Sequence, residues 1–469
     1  MRLDVVVSVV SVAALWAVCA DAQWGQFRGP NGTGVGPAAA FPSDLSAKAT
    51  RWRAEVPYGQ SSPVVAGGRV YVTAAEGDRL VTVSFDADTG RQVWRRELAR
   101  AHAHTIYRSN DPASPTPVAD AEGVVAFFPD FGLVAYAADG AERWRHPLGP
   151  FRNFYGMGAS PIVVGALVVL VCDQQVGSFI LALDRASGAV KWKRERPGRT
   201  IGWATPIVFH PSTGPAQLVV LGSTHVDGYD LGTGAPAPRW WMRVASNGGL
   251  GTPVTSGDTV LVSTLAASEP WIVAFASARD KYDRDKDLRL SREEFKGDEL
   301  AEHFGWIDDN SDGQIDEREW NVARDMGTGE FGVLAIRPGG ATGQLAPTAI
   351  RWRFQKNLPF VAAPLLYQEV LYLVRDGGII TTIDPSSGTL LKEGRTKEAL
   401  GQYFASPVAA DGKVYLASSE GKLTVLRAGA QWEVLGVRDL GDEISATPAL
   451  DNGRVYVRTR RALYCFGSR

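Results

Sequence analysis

Between Asp283 and Glu319 the chain twice places oxygen-bearing side chains at alternate positions. The later stretch, 308–319, reads DDNSDGQIDERE, and the earlier one, 283–294, reads DRDKDLRLSREE. A hard divalent cation such as calcium takes about 6–8 oxygens. A twelve-residue loop supplies them from positions 1, 3 and 5, the carbonyl at 7, a side chain or water at 9 and a bidentate carboxylate at 12. The later loop fills these slots with Asp308, Asn310, Asp312, the Gln314 carbonyl, Asp316 and Glu319. Gly313 allows the sharp turn, and Ile315 can pair with a partner loop. The earlier loop offers Asp283, Asp285, Asp287, the Arg289 carbonyl, Ser291 and Glu294, with Leu290 in the pairing slot. Its Leu288 stands where glycine is expected. A leucine at positive φ costs on the order of 1 kcal/mol, which weakens such a site rather than abolishing it. Calcium is therefore the expected cofactor. It is expected to be structural, with dissociation constants on the order of 10⁻⁴–10⁻³ M as in extracellular modules.

Little else in the chain has the spacing of reactive chemistry. His102-x-His104 offers two metal-ligand side chains without an evident third, so solvated loop histidines are expected. No Gly-rich phosphate loop, serine nucleophile elbow or HExxH motif stands out. Cys172 and Cys465 lie on separate apolar runs and read as buried thiols.

The elements around the two loops follow from composition and period. The 469 residues carry a net charge of -2, so no global field argues for nucleic acid as a partner. The charge is uneven, because 280–325 holds 16 acidic and 8 basic residues, or -8. Residues 5–18 are nearly all apolar, and Ala20-Asp21-Ala22 is a small-x-small cleavage site. That run is too short for a comfortable membrane span. A signal peptide over 1–22, cleaved after Ala22 and taking Cys19 with it, is expected, with a periplasmic or secreted product. No transmembrane segment is expected elsewhere.

Ser, Thr or Ala precedes proline at Ser62-Pro63, Ser114-Pro115, Ser160-Pro161, Thr205-Pro206, Thr252-Pro253, Ala363-Pro364, Ser406-Pro407 and Thr447-Pro448. A strand-like run follows each pair. The prolines step by 52, 46, 45, 47, 111, 43 and 41 residues, so one unit carries an insertion. A period in the forties with short strands suits one four-stranded propeller blade per unit. Asp411-Gly412 and Gly67-Gly68 mark hairpins. Trp94, Trp144, Trp192, Trp240, Trp352 and Trp432 recur near the fourth strands, with Leu391 in that place in the sixth unit. An indole there can wedge between diverging sheets. The last unit lacks a fourth strand, and 50–55 around Trp52 matches one. The expected fold is all-β: an eight-bladed β-propeller closed by the N-terminal strand, with a small α-helical insertion in the fifth blade. The expected parts are propeller over 23–279, insertion over 280–325 and propeller over 326–469.

The units resemble the pyrroloquinoline-quinone-type (PQQ-like) repeat, on Ser-Pro, a strand, and later Thr-Gly or Ser-Gly before Trp. Examples are Asp88-Thr89-Gly90-Arg91-Gln92-Val93-Trp94 and Ser187-Gly188-Ala189-Val190-Lys191-Trp192. The two acidic loops with their flanks resemble an inserted EF-hand pair. The opening Trp24-Gly25-Gln26-Phe27-Arg28-Gly29-Pro30-Asn31-Gly32 is similar to the start of an exported bacterial subgroup. The repeat family includes quinoprotein alcohol dehydrogenases and the propeller lipoprotein of the outer-membrane barrel-assembly machinery. In the dehydrogenases the resemblance implies a quinone stacked on a tryptophan, a vicinal disulfide, a bound calcium and an Asp base. This chain has no adjacent cysteine pair, and no such ligand set falls on its repeat units, so PQQ is not expected. The residues before each Ser-Pro pair are expected at the channel mouth: Tyr58, Gln60, Arg108, Asn110, Tyr155, Trp203, Asn247, Phe360, Tyr403 and Glu443. The expected function is an exported, non-catalytic propeller scaffold binding a protein or other ligand, such as a glycan or polymer, at its face. The alternative is a PQQ-dependent oxidoreductase with an atypical pocket.

Overall fold

A computed structural model describes residues 24–102, 110–231, 237–246, 250–265 and 272–468. The expected signal peptide, His104, Arg108 and Asn247 lie outside the described residues. Eight antiparallel sheets of four main strands follow one another along the chain. The first is Val64–Ala66, Arg69–Glu76, Arg79–Asp86 and Gln92–Ala99, from the inner edge outwards. The eighth takes its outer strand from the other end of the chain. Thr50–Glu55 pairs with Ala462–Phe466, with Trp52 opposite Cys465. The ring is thus closed by the N-terminal strand, which removes the two edges that an open array would expose.

Six of the eight joints between neighbouring blades are tied near the axis by the residue before the proline. The Ser62 N–H donates to Thr116 Oγ1, Thr116 to Ser160, and Ser160 to Thr205, each at 3.0 Å. The Ala363 N–H donates to Ser406, Ser406 to Thr447, and Thr447 back to Ser62, again at 3.0 Å. This register corrects one reading. The aligned pair of the second blade is Thr116-Pro117, directly before the strand Val118–Asp120, and Ser114-Pro115 lies two residues upstream. The tandem SPTP offered two candidates, and only the second places its hydroxyl opposite the Ser62 amide.

The outer rim is held by the tryptophans. Trp52, Trp94, Trp144 and Trp352 each donate Nε1–H to a carbonyl of the next blade, at Ala87, Ala138, Arg185 and Pro385. Each indole lies on a glycine of that blade: Gly90, Gly140, Gly188 and Gly388. Cys172 and Cys465 are free and buried, in the third and eighth blades.

The segment after residue 23 crosses the inner strands in turn. The Trp24 and Gly25 carbonyls accept from Val65 and Ala119, and Asn31 exchanges two 2.7 Å bonds with Val208. Gly34 and Gly36 pair with Ala409. The fully buried Arg28 donates to the Pro364 carbonyl at 2.7 Å. This stretch plugs the far end of the channel, leaving the opposite face, where the inner strands begin.

The joint between the third and fourth blades is ionic. Arg196 grips Asp173 through two bonds of 2.7 and 3.0 Å and reaches Asp227 at 3.3 Å and the Tyr229 hydroxyl at 2.8 Å. Arg199 holds the other side of Asp227. His225 bonds Thr224 through Nδ1 and lies edge-on to Trp241. Burial, with Arg199 nearby, pushes its imidazole down to about 4 from an ordinary 6.5.

Gly188→Ala should destabilise the fold more than Gly165→Ala. Both positions have positive φ, +72° and +58°, which costs about 1 kcal/mol for any side chain. At Gly188 a Cβ would also meet Trp144 at 2.6 Å, adding about 1–3 kcal/mol of overpacking, whereas Gly165 faces open space. Urea unfolding of the two variants measures the difference. A second outcome concerns pH. A histidine depressed in the fold takes its proton first in the unfolded chain, so stability should fall as pH drops from 6.5 towards 4. Titrating the stability of His225→Gln should show that component removed.

Candidate functional site

The fifth blade pairs Thr259–Thr264 with Gly332–Ile336, and the chain leaves the sheet between them. That excursion holds helices α1 (Phe275–Tyr282), α2 (Phe304–Ile307) and α3 (Glu317–Met326). It has its own core of Phe275, Tyr282, Leu290, Phe295, Phe304, Ile307, Ile315 and Trp320. Helix α1 starts ahead of residue 280 because Phe275 and Ala278 belong to this core. The exit from the first loop is turns rather than a regular helix. Gly297, at φ +87°, breaks it, and Asp298 caps the next turn by accepting from the Leu300 N–H.

The two loops take the same course. Leu290 and Ile315 are buried and face each other across a short antiparallel pairing. Leu288 and Gly313 both have positive φ, +69° and +85°. Their N–H groups donate to the first-position carboxylates, Leu288 to Asp283 and Gly313 to Asp308. The closing glutamates are held alike. Glu294 accepts from the Arg284 and Ser291 amides, and Glu319 from those of Asn310 and Asp316. Asp316 and Glu319 also form a capping box that starts α3. Oxygens of Asp283, Asp285 and Asp287 come within 4.8 Å of one another. Burial and the adjacent Asp309 push the Glu319 carboxyl up to about 7. Asp309 itself is paired with Arg318 at 2.6 and 2.8 Å.

The excursion leaves from a second-to-third-strand connection, so it lies on the mouth face. It meets the mouth-face connections into, within and out of the third blade. The Arg152 guanidinium donates to the Asn310 carbonyl at 3.0 Å. Trp306, Val322, Ala323 and Met326 line a small open hollow together with Gln175, Thr200 and Ile201.

Of the residues expected at the mouth, several form an arc. Ser114 Oγ donates to Gln60 Oε1 at 3.0 Å, and Asn110 donates to the Tyr155 carbonyl at 2.7 Å. Tyr155 lies edge-on to Trp203 at 5.6 Å, and Trp203 Nε1 donates to the Gly156 carbonyl. Tyr58, Gln60 and Glu443 line an open hollow of about 220 Å³, with Arg460 over the Tyr58 ring. Phe360 is 53% exposed beside another of about 300 Å³. Tyr403 departs from the expectation. It is only 2% exposed, and its hydroxyl is turned to the Ala399 carbonyl, so it is core. The Arg196 cluster escaped sequence reading because its members are far apart along separate strands. The alternation of Arg and Asp at the ends of buried runs was the available signal.

A family model described as outer membrane protein assembly factor BamB matches residues 37–237 and 332–469. The unmatched stretch between them contains the whole excursion. No curated protein matches the chain. Among solved structures, a europium-containing methanol dehydrogenase is 10% identical with a TM-score of 0.59, over 95% of this chain and 98% of that one. The quinohemoprotein alcohol dehydrogenase from Comamonas testosteroni is 12% identical with a TM-score of 0.54, over 95% and 80%. BamB from Moraxella catarrhalis is 12% identical with a TM-score of 0.49, over 84% and 96%. At such identities the likeness to these structures is one of fold alone. With closed four-stranded blades, indoles seated on Thr-Gly and Ser-Gly turns, and a family model matched over most of its length, the chain belongs to the PQQ-like β-propeller family whose model is described as outer membrane protein assembly factor BamB.

Proposed function

We propose that the protein is an exported propeller scaffold whose mouth face binds a protein or polymer ligand, with calcium held in both loops of the inserted EF-hand pair and no catalysis of its own. The observation that carries the calcium reading is the shared cradle of the loops. In each, backbone amides hold both oxygens of the closing glutamate, and they hold one oxygen of Asp283 and both of Asp308. In the first loop oxygens of Asp283, Asp285 and Asp287 also lie within 4.8 Å of one another, and a divalent cation there would offset their mutual repulsion. The ligands are Asp283, Asp285, Asp287, the Arg289 carbonyl, Ser291 and Glu294 in one loop. In the other they are Asp308, Asn310, Asp312, the Gln314 carbonyl, Asp316 and Glu319. Export rests on the apolar N-terminal run and its cleavage site, and among the described residues no helix is long and apolar enough to cross a membrane. A binding role is supported by the face itself, a rigid ring carrying aromatic and amide side chains on its loops.

The fold likeness to a methanol dehydrogenase favours a second reading, an oxidoreductase with an atypical quinone pocket. Against it stand the three cysteines, none adjacent to another, and the absence of a second carboxylate–amide set on the repeat units.

Calcium at a hundredfold excess over its dissociation constant should stabilise the protein against chelator by about 2.7 kcal/mol per site. Glu319→Gln should remove most of the share owed to the second loop. An unchanged calcium-dependent melting shift in that variant would place the site elsewhere. Titration with PQQ should give no saturable absorbance change and no dye reduction with alcohols or sugars. Saturable binding with turnover would replace the scaffold reading by the oxidoreductase.

A further inference from the structure

The inserted pair sits on the parts of the propeller that carry the mouth arc. Two of the propeller segments that meet it belong to the arc. The first is 151–157, which holds Arg152 and Tyr155. The Arg152 side chain donates to the Asn310 carbonyl, at the third position of the second loop. Its main chain is fixed on the other side, because its N–H donates to Gln174 Oε1 and its carbonyl accepts from the Gln175 N–H. The second segment is 199–203. Thr200 and Ile201 face Trp306, Val322, Ala323 and Met326 of the pair, and Trp203 ends the segment against Tyr155. A third tie lies at the end of α3, where Arg243 of the fourth blade pairs with Asp325 and donates to Thr328 Oγ1.

These contacts fall on the elements that the second loop positions. Asp308 begins the loop at the end of α2, and Glu319 stands in the first turn of α3. A cation joining these two carboxylates would fix α2 against α3. The same two helices present Trp306 and Met326 to the propeller. Helix pairs of this kind change their interhelical angle and expose apolar, methionine-containing faces when calcium binds. Here the apolar side chains of the pair line a hollow shared with Ile201 of the chain's own rim.

We propose that the inserted pair is a calcium-dependent clamp on the propeller mouth: cation in the second loop sets α2 and α3, and through Arg152 and Ile201 these order the Tyr155–Trp203 arc where the ligand binds. This rests on the calcium reading above and adds a regulatory role to it. The pair's partner is the propeller itself, and calcium controls the state of the binding face.

Amide hydrogen exchange on the full-length mature chain, with calcium or with chelator, tests the clamp. Calcium binding is measured separately by calorimetry. Exchange in 151–157 and 199–203 should slow by about tenfold or more with calcium. Exchange in the inner strands on the opposite side of the ring, such as Val408–Ala410, should not change. The double variant Arg152→Ala/Arg243→Ala should still bind calcium at both loops and lose the protection of the two mouth segments. Calcium binding without any change in mouth exchange would overturn the clamp and leave the calcium reading standing. Mouth protection that persists in the double variant would also overturn the clamp. No calcium binding at all would overturn both.

Discussion

The structure depends on how eight short inner strands are joined around an axis where there is little room. Each inner strand is about three residues long and is preceded by proline. Proline fixes φ and has no N–H, so the last amide before it faces the channel wall without a strand partner. A buried amide left unmade costs about 1–3 kcal/mol. The neighbouring blade's Ser or Thr hydroxyl takes that amide, and its own amide passes to the next hydroxyl. The chain of bonds runs from Ala363 through Ser406, Thr447, Ser62, Thr116 and Ser160 to Thr205. It crosses the closure seam at Thr447–Ser62, so the ring and the N-terminal latch enforce each other. Arg458 reinforces the same seam. From the eighth blade it bonds the Ser61 and Thr73 carbonyls and the Ser61 hydroxyl of the first.

The bond chain is interrupted at one place, the fifth blade. Ala363 offers no hydroxyl, and Thr252 Oγ1 is buried without a partner. The plug also passes this gap. Gly32 lies against the Thr252 methyl, Asn31 binds Val208 in the fourth blade, and Arg28 takes the Pro364 carbonyl in the sixth. The outer rim changes at the same point. Trp240 finds no tight glycine turn in the next blade and donates instead to Gln217 of its own sheet. Gly343–Gln344, from the connection before the fifth blade's last strand, adds a parallel strand beside it. The joint leading into the blade that carries the insertion thus lacks both joining devices, and local contacts replace them.

Much of this was legible in residues whose chemistry is local. A glycine after Asp-Thr and before an indole sets a turn and a seat within ten residues, and the alternating carboxylates of each loop lie within twelve. Leu288 at positive φ could be read from its slot alone. What resisted reading required knowing which blades touch. The SPTP tandem has two candidates, and the choice is made by Ser62, more than fifty residues away in another sheet. Tyr403 has the position of a mouth residue, but the Ala399 carbonyl draws its hydroxyl into the core. Asp173, Arg196 and Asp227 each look like loop charges until three strands bring them together. The segment WGQFRGPNG has no period, and only closure of the ring creates the channel that it fills.

The plug and the insertion together assign the molecule a direction. The N-terminal segment bonds the middle of the inner strands and leaves past their far ends at Phe41, and the excursion leaves from a connection at their beginnings. An eight-bladed ring offers two broad faces, and here one of them is spent on the chain's own latch. The Tyr155–Trp203 arc, the exposed Phe360 and the inserted pair all belong to the other. The acidic insertion faces a propeller whose remaining charge is positive, which favours its docking through Arg152 and Arg243 over a free position in solvent. Loop chemistry, the charge split and the closed rear of the ring consequently act on a single surface.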